Sequence, residues 1–299
     1  MSSPRSAPER RRKARPAADP SPDGAFVTVD GIPIHYQRFG AGPPVVLLHG
    51  AGGNLRDLTL GLAPALAERH EIIALDRPGL GFSGRTRRAR RLGGQAALLR
   101  DAMVALGVQR AVLVGHSYGG ALALAWALAM PETVAGLLVI GAPSQPRGRL
   151  GLMNGLLASH LTGPIIARQV PDRLADRLAG NALIRIFSPQ PVPPAYLAHI
   201  RPELVLSPAV LRANALQLRA LRAGLRAMSG RYGEIGVPVE IVHGAADGIV
   251  PFDIHAVPLA RQVPKATLTR LEGVGHMPQH AAVPEIVAAL ARLTGRSGQ

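Results

Sequence analysis

Apolar residues follow two rhythms along this chain. Short apolar runs at Val45 to His49, Glu71 to Asp76, Ala111 to Gly115, Val134 to Ile140 and Val237 to Val242 are bounded by turn residues, and predict strands buried on both faces. Phe26 to Val29, Ile32 to Phe39 and Ala266 to Leu271 predict three more strands. Helical patterns separate them: one within Leu55 to Glu68, one around Gln95 to Leu106, an alanine-rich one at Tyr118 to Met130, one after Pro251, and a closing one from about Pro284 to Leu293. This alternation predicts an α/β fold with a mostly parallel, doubly wound sheet.

The rhythm stops between about Ser144 and Ile235. That stretch is helical with Pro and Gly breaks, and the leucines from Ala209 to Met228 recur at three- and four-residue spacing. The expected organisation is a core of residues 25–143 and 236–299 interrupted by a helical insertion at 144–235. Residues 1–24 hold five prolines and six basic residues, with little to bury, and are expected to form a disordered basic tail. No internal repeat points to a solenoid.

Composition narrows the function classes. Lysine and arginine total 34 against 19 acidic residues, a net charge of +15. Only Lys13 and Lys265 are lysines, aromatics are 3%, and no nucleic-acid motif accompanies the charge, so no nucleic-acid partner is expected. The absence of cysteine excludes disulfides, thiolate metal sites and a thiol nucleophile. Two uncharged runs fail as membrane spans: Ala111 to Pro131 is split by His116 to Gly120, and Leu150 to Ala167 is broken by Asn154, His160, Pro164 and glycines. No apolar stretch follows the basic Arg10 to Lys13, so no export signal is complete and the expected localisation is cytoplasmic.

The chemistry concentrates in three turns. Gly115-His116-Ser117-Tyr118-Gly119-Gly120 lies between an apolar strand and an alanine-rich helix, the setting in which a sharp turn lifts a serine oxygen clear of a sheet. A serine hydroxyl is a weak nucleophile and needs a base, which in turn needs an acid to fix its tautomer. Asp247 follows one later strand and His276 follows the next, giving the order Ser, Asp, His. No strand-end carboxylate near Ile140 competes with Asp247, and Asp76 is read as the anchor of its own Pro-Gly turn.

These motifs resemble the α/β-hydrolase superfamily from Phe26 to Leu293. His49-Gly50-Ala51-Gly52-Gly53 and Asp76-Arg77-Pro78-Gly79-Leu80-Gly81-Phe82-Ser83 add to the likeness. The resemblance implies Ser117, Asp247 and His276 as a catalytic triad, backbone amides of Ala51 and Tyr118 as the oxyanion hole, and residues 144–235 as a helical cap. His49 is then a shaping residue of the oxyanion turn. A serine nucleophile speaks against haloalkane dehalogenases and epoxide hydrolases, which use aspartate there.

Met153, Leu156, Leu157, Ile165 and Phe187 are candidates for an apolar substrate pocket, with plain packing as the alternative for each. His243, His255 and His280 are read as ordinary histidines. Arg85, Arg87, Arg88, Arg90 and Arg91 form a cationic loop, read either as a solvated face or as a contact for anionic lipid or an acidic substrate. The leading reading is a serine hydrolase for a small-to-medium hydrophobic ester or lactone, with no metal or cofactor and a small molecule as its partner. Acyl transfer, carbon-carbon bond hydrolysis and perhydrolysis share the same triad. A non-catalytic ligand-binding protein of this fold and a weak contact with an anionic membrane surface are the other readings. Oligomeric state has no sequence signature here.

Overall fold

The computed structural model describes residues 22–147, 152–159, 163 and 172–295. Eight strands form one sheet: β1 (Ala25–Val29), β2 (Ile32–Phe39), β3 (Pro44–Leu48), β4 (Glu71–Leu75), β5 (Ala111–His116), β6 (Val134–Ile140), β7 (Val239–Gly244) and β8 (Ala266–Leu271). Their order is β1-β2-β4-β3-β5-β6-β7-β8, with β2 antiparallel to both neighbours and all pairs from β4 onward parallel. The two-residue connection Asp30-Gly31, with both residues at positive φ, permits only an antiparallel hairpin at that edge.

Period-two alternation divides the apolar residues between two cores. Val46, Leu48, Ile73, Leu75 and Leu113 face one side of the sheet, with residues of α3 (Leu92–Ala105), α4 (Tyr118–Ala129) and α10 (Phe252–Gln262). Val45, Leu47, Ile72, Ala74, Val112 and Val114 face the other, with α2 (Leu62–Ala67) and α11 (Val283–Leu293). Each central strand therefore reads as continuously apolar because both of its faces are covered.

The helix expected within Leu55 to Glu68 is two short ones, α1 (Arg56–Thr59) and α2, separated at Leu60 and Gly61. Between β6 and β7 the described elements are helical: α5 (Leu152–Ala158), α6 (Asp172–Phe187), α7 (Tyr196–Ile200), α8 (Pro202–Leu206), α9 (Pro208–Met228) and a short 3-10 turn at Tyr232–Glu234. Ser207 caps α9 by accepting the Val210 amide, and Pro208 sits where its missing N–H costs nothing. No described helix is long and apolar enough to cross a membrane. The parallel strands end together on one edge, so the loops after β3, β5, β7 and β8 converge there.

Candidate active site

Ser117 stands at the junction of β5 and α4 with φ of 51° and ψ of −119°. Such a conformation costs a β-carbon-bearing residue on the order of 1 to 3 kcal/mol, and surrounding contacts must impose it. They do so tightly. The Ser117 amide donates to the Ile140 carbonyl at 2.8 Å, and its own carbonyl accepts from Gly120 at 2.9 Å. A β-carbon at Gly115 would lie 2.4 Å from the Gly119 carbonyl oxygen, and one at Gly119 would lie 2.0 Å from that of Leu48. The glycines flanking Ser117 are thus imposed by strand and helix backbones in near contact.

Three loops bring the predicted residues together. His276 Nε2 lies 3.0 Å from Ser117 Oγ, and His276 Nδ1 lies 2.8 Å from Asp247 Oδ2. With the carboxylate as acceptor, Nδ1 carries the proton and Nε2 faces the serine hydroxyl with its lone pair. The second carboxylate oxygen of Asp247 accepts the amides of Ile249 and Val250, each at 2.8 Å. These bonds and the nearby histidines hold the Asp247 carboxyl well below the usual range despite its burial.

Burial lowers the His276 pKa below its ordinary value, against the raising effect of Asp247; neighbouring His116 and His243 lower it further. Neutral imidazole is the form able to take a proton from Ser117. Since it persists at lower pH than for a solvent-exposed histidine, kcat/KM for an activated ester is expected to fall on an acid limb whose midpoint lies below about pH 6.5. A pH profile of p-nitrophenyl acetate turnover checks this, and a midpoint above 7 would contradict it.

Two further histidines bear on this arrangement, His116 of the Ser117 turn and His243, which the sequence presents as ordinary. His116 Nε2 donates to the His276 carbonyl at 2.8 Å, fixing the backbone from which the imidazole projects. His243 Nε2 donates to the Val250 carbonyl at 2.8 Å and sits 3.3 Å from Asp247 Oδ2, backing the carboxylate. His243 carries no sequence signal beyond its place at a strand end, and His116 only its place beside Ser117. His280 instead joins Tyr196 and Gln279 around the buried Asp57 carboxylate, and His255 Nδ1 accepts the amides of Ser144 and Gln145.

The turn after β3 is built around one peptide group. Gly50 carbonyl oxygen accepts His49 Nδ1 at 2.9 Å and Arg77 Nη2 at 3.0 Å, and the N–H of this same peptide belongs to Ala51. His49 Nε2 accepts the Arg77 amide at 3.0 Å, and burial followed by the Arg77 charge lowers the His49 pKa to about 3, so the ring is neutral with its proton on Nδ1. Arg77 is completely buried: its Nη1 donates to Gln95 and Gln217, and its guanidinium lies 4.1 Å from the centre of the Tyr118 ring. The Ala51 and Tyr118 amides have no acceptor within the protein among the described residues. Gly52 in the same turn donates to Asn214 Oδ1 of α9 at 2.8 Å.

The five apolar pocket candidates separate. Leu157 is buried against Ala158 and Ala215, while Leu156 is half-buried. Phe187 is buried with Tyr196, Ile200 and Met277, its ring 4.8 Å from that of Tyr196. Met153 lies on α5, but its side chain is outside the described residues, as is Ile165 altogether. Among the described residues no cluster of His, Asp and Glu is arranged to hold a metal ion.

Known proteins share this framework. The family model described as alpha/beta hydrolase fold matches residues 43–170. An uncharacterized protein of Mycobacterium tuberculosis is 30% identical over 298 residues, covering 91% of this chain and 81% of the relative. The 2-hydroxy-6-oxo-2,4-heptadienoate hydrolase of Pseudomonas putida is 36% identical over 126 residues, which span 40% of this chain and 44% of that enzyme. The crystal structure of an alpha/beta hydrolase fold protein from Burkholderia ambifaria superposes with a TM-score of 0.76 at 24% identity, covering 90% of this chain and 97% of that one. Sequence likeness and backbone course agree along most of the length, and the chain belongs to the alpha/beta hydrolase fold family.

Proposed function

We propose that the protein is a serine hydrolase that cleaves a small-to-medium, largely hydrophobic carboxylic ester or lactone through an acyl-enzyme intermediate. The observation that carries this reading is the unbroken pair of hydrogen bonds running from Ser117 through His276 to Asp247. Ser117 Oγ attacks the carbonyl carbon while its proton passes to His276 Nε2. The imidazolium forms beside an ionised Asp247, which stabilises it. The carbonyl oxygen becomes an oxyanion facing the Ala51 and Tyr118 amides, and each such donor is typically worth about 3 to 4 kcal/mol in the transition state. His276 then protonates the departing alkoxide, and in the second half-reaction it activates the water that releases the acid.

We read residues 144–235 as a cap over this site. Asn214 of α9 and Tyr196 of α7 reach the core at Gly52 and Asp57, which supports a cap seated on the oxyanion side. A second reading, hydrolysis of a carbon-carbon bond next to a ketone, is favoured by the 36% identity to the Pseudomonas putida enzyme. It uses the same nucleophile, base and oxyanion amides with a carbanion as leaving group.

A fluorophosphonate probe tests the shared chemistry. The folded protein should become labelled on Ser117, and Ser117→Ala should stay unlabelled. An unreactive but folded wild type would favour a ligand-binding protein that keeps the fold without turnover. Hydrolysis of p-nitrophenyl esters compared with a vinylogous 1,5-diketone then separates the ester and carbon-carbon readings.

A further inference from the structure

The loop after β4 carries five arginines within seven residues, Arg85, Arg87, Arg88, Arg90 and Arg91. Arg88 pairs with Asp30. Among the described residues no carboxylate lies within ion-pair distance of Arg85, Arg87 or Arg90. Those three residues and Arg212 of α9 line a cavity of about 250 Å³. Thr86 and Gln217 contribute to the wall, and no acidic residue does among the described residues.

The cavity is held in shape from both sides. Loop and helix meet at Gly79, where a β-carbon would lie 3.1 Å from Arg85 Cγ and 3.3 Å from Ala213 Cβ. Arg212 Nη1 donates to the Ser159 carbonyl at 2.9 Å, and Gln217 donates to the Pro78 carbonyl at 2.8 Å while accepting from Arg77. Four arginines line one concave space, and among the described residues no acidic side chain of the lining offsets their charge. A carboxylate or a phosphate does so, and its oxygens match the planar fork of arginine in two-point hydrogen bonds. The volume lies just under the roughly 300 Å³ at which pockets begin to hold whole drug-sized ligands, so it suits one end of a molecule.

The same helix wall leads to the chemistry. Asn214, next to Ala213 in α9, accepts the Gly52 amide of the oxyanion turn, and Gln217 holds Arg77, which holds the Gly50 carbonyl. We propose that Arg85, Arg87, Arg90 and Arg212 form an anion-binding subsite for a carboxylate or phosphate at the end of the substrate, making the preferred substrate an acidic molecule with an apolar body. The assignment to substrate rests on the hydrolase reading above; the anion site itself does not.

Two measurements on the full chain test it. In the first, kcat/KM is compared for mono-p-nitrophenyl suberate and for its neutral methyl ester. The wild type should prefer the acid by about tenfold at low ionic strength, and less in high salt, where such pairs are screened. Arg85→Gln combined with Arg87→Gln alters two exposed side chains and should bring the acid-to-neutral ratio of kcat/KM close to one. Arg88→Gln, which removes a charge of the same loop outside the cavity, should retain the preference. In the second, calorimetric titration with inorganic phosphate should give binding that the double variant weakens about tenfold or more. Equal phosphate isotherms for wild type and double variant would overturn the site. Phosphate binding without an acid preference would overturn its assignment to substrate, as would arginine-dependent sedimentation with phosphatidylglycerol vesicles in place of that preference. If neither ester is turned over, the ester reading has failed and the phosphate isotherms alone decide the anion site.

Discussion

Replacement of His276 by alanine is expected to lower kcat for an activated ester by on the order of 10⁴- to 10⁶-fold with the fold intact. The catalytic part follows from geometry. His276 Nε2 is the group poised 3.0 Å from Ser117 Oγ, and without it the hydroxyl must lose its proton to water. The structural part follows from the partners left behind. Asp247 loses one hydrogen bond but keeps those from the Ile249 and Val250 amides and the proximity of His243, so its buried charge is not orphaned. The thermal midpoint should therefore shift by only a few degrees, as expected for about 1 to 2 kcal/mol in a chain of this size. Millimolar imidazole, able to enter the space vacated by the ring, should restore part of the activity. Turnover within tenfold of wild type in a folded His276→Ala protein would show that another group is the base. Steady-state kinetics beside circular-dichroism melts supply both readouts.

The proposed chemistry asks for particular residue types at particular strand ends, and that pattern is readable in the sequence. Gly115, Ser117, Gly119 and Gly120 spell out a close strand-helix approach, and Asp247 and His276 follow the segments that form β7 and β8. Other features were hidden for physical reasons. Gly93 and Gly94 masked the first turn of α3, where a β-carbon at position 94 would strike the Arg88 carbonyl at 2.0 Å, so a glycine that looks like a breaker is a packing requirement. The break between α1 and α2 is set at Gly61, whose ψ of −40° is helical while its φ of −141° is not, and the apolar spacing runs straight through it. Side-chain networks are the least legible of all. Gln217 lies 140 positions from Arg77, and no periodicity in the sequence announces that the two will meet beneath the oxyanion turn. The arginine loop showed its charge in the sequence but not the cavity that gives the charge a direction.

The second large effect is expected at Arg77, a completely buried positioning residue that acts through the Gly50 peptide. Its guanidinium bonds the Gly50 carbonyl, and rotation of that peptide would swing the Ala51 N–H away from the developing oxyanion. Arg77→Met keeps most of the side-chain volume and removes the donors. The remaining bond from His49 Nδ1 leaves the peptide held at one point instead of two. Loss of an aligned oxyanion donor costs about 10²- to 10³-fold in kcat, and partial misalignment should approach the lower figure, near 10²-fold. KM should change little, because the ground-state carbonyl gains less from the N–H than the oxyanion does. Stability should fall as well: the Gln95 and Gln217 oxygens that accept from Arg77 would be buried without their charged partner, at about 1 to 3 kcal/mol for each unsatisfied group. Assays must therefore run below the variant's melting transition. Under that condition the split between kcat and KM is the decisive reading, together with the rate of fluorophosphonate labelling, which passes through a related oxyanionic transition state and should fall in parallel. Arg77→Lys should restore the charge without the two-point reach to Gly50 and the glutamines, and so recover only part of kcat. A folded Arg77→Met enzyme with unchanged kcat would show that His49 alone suffices to aim the amide.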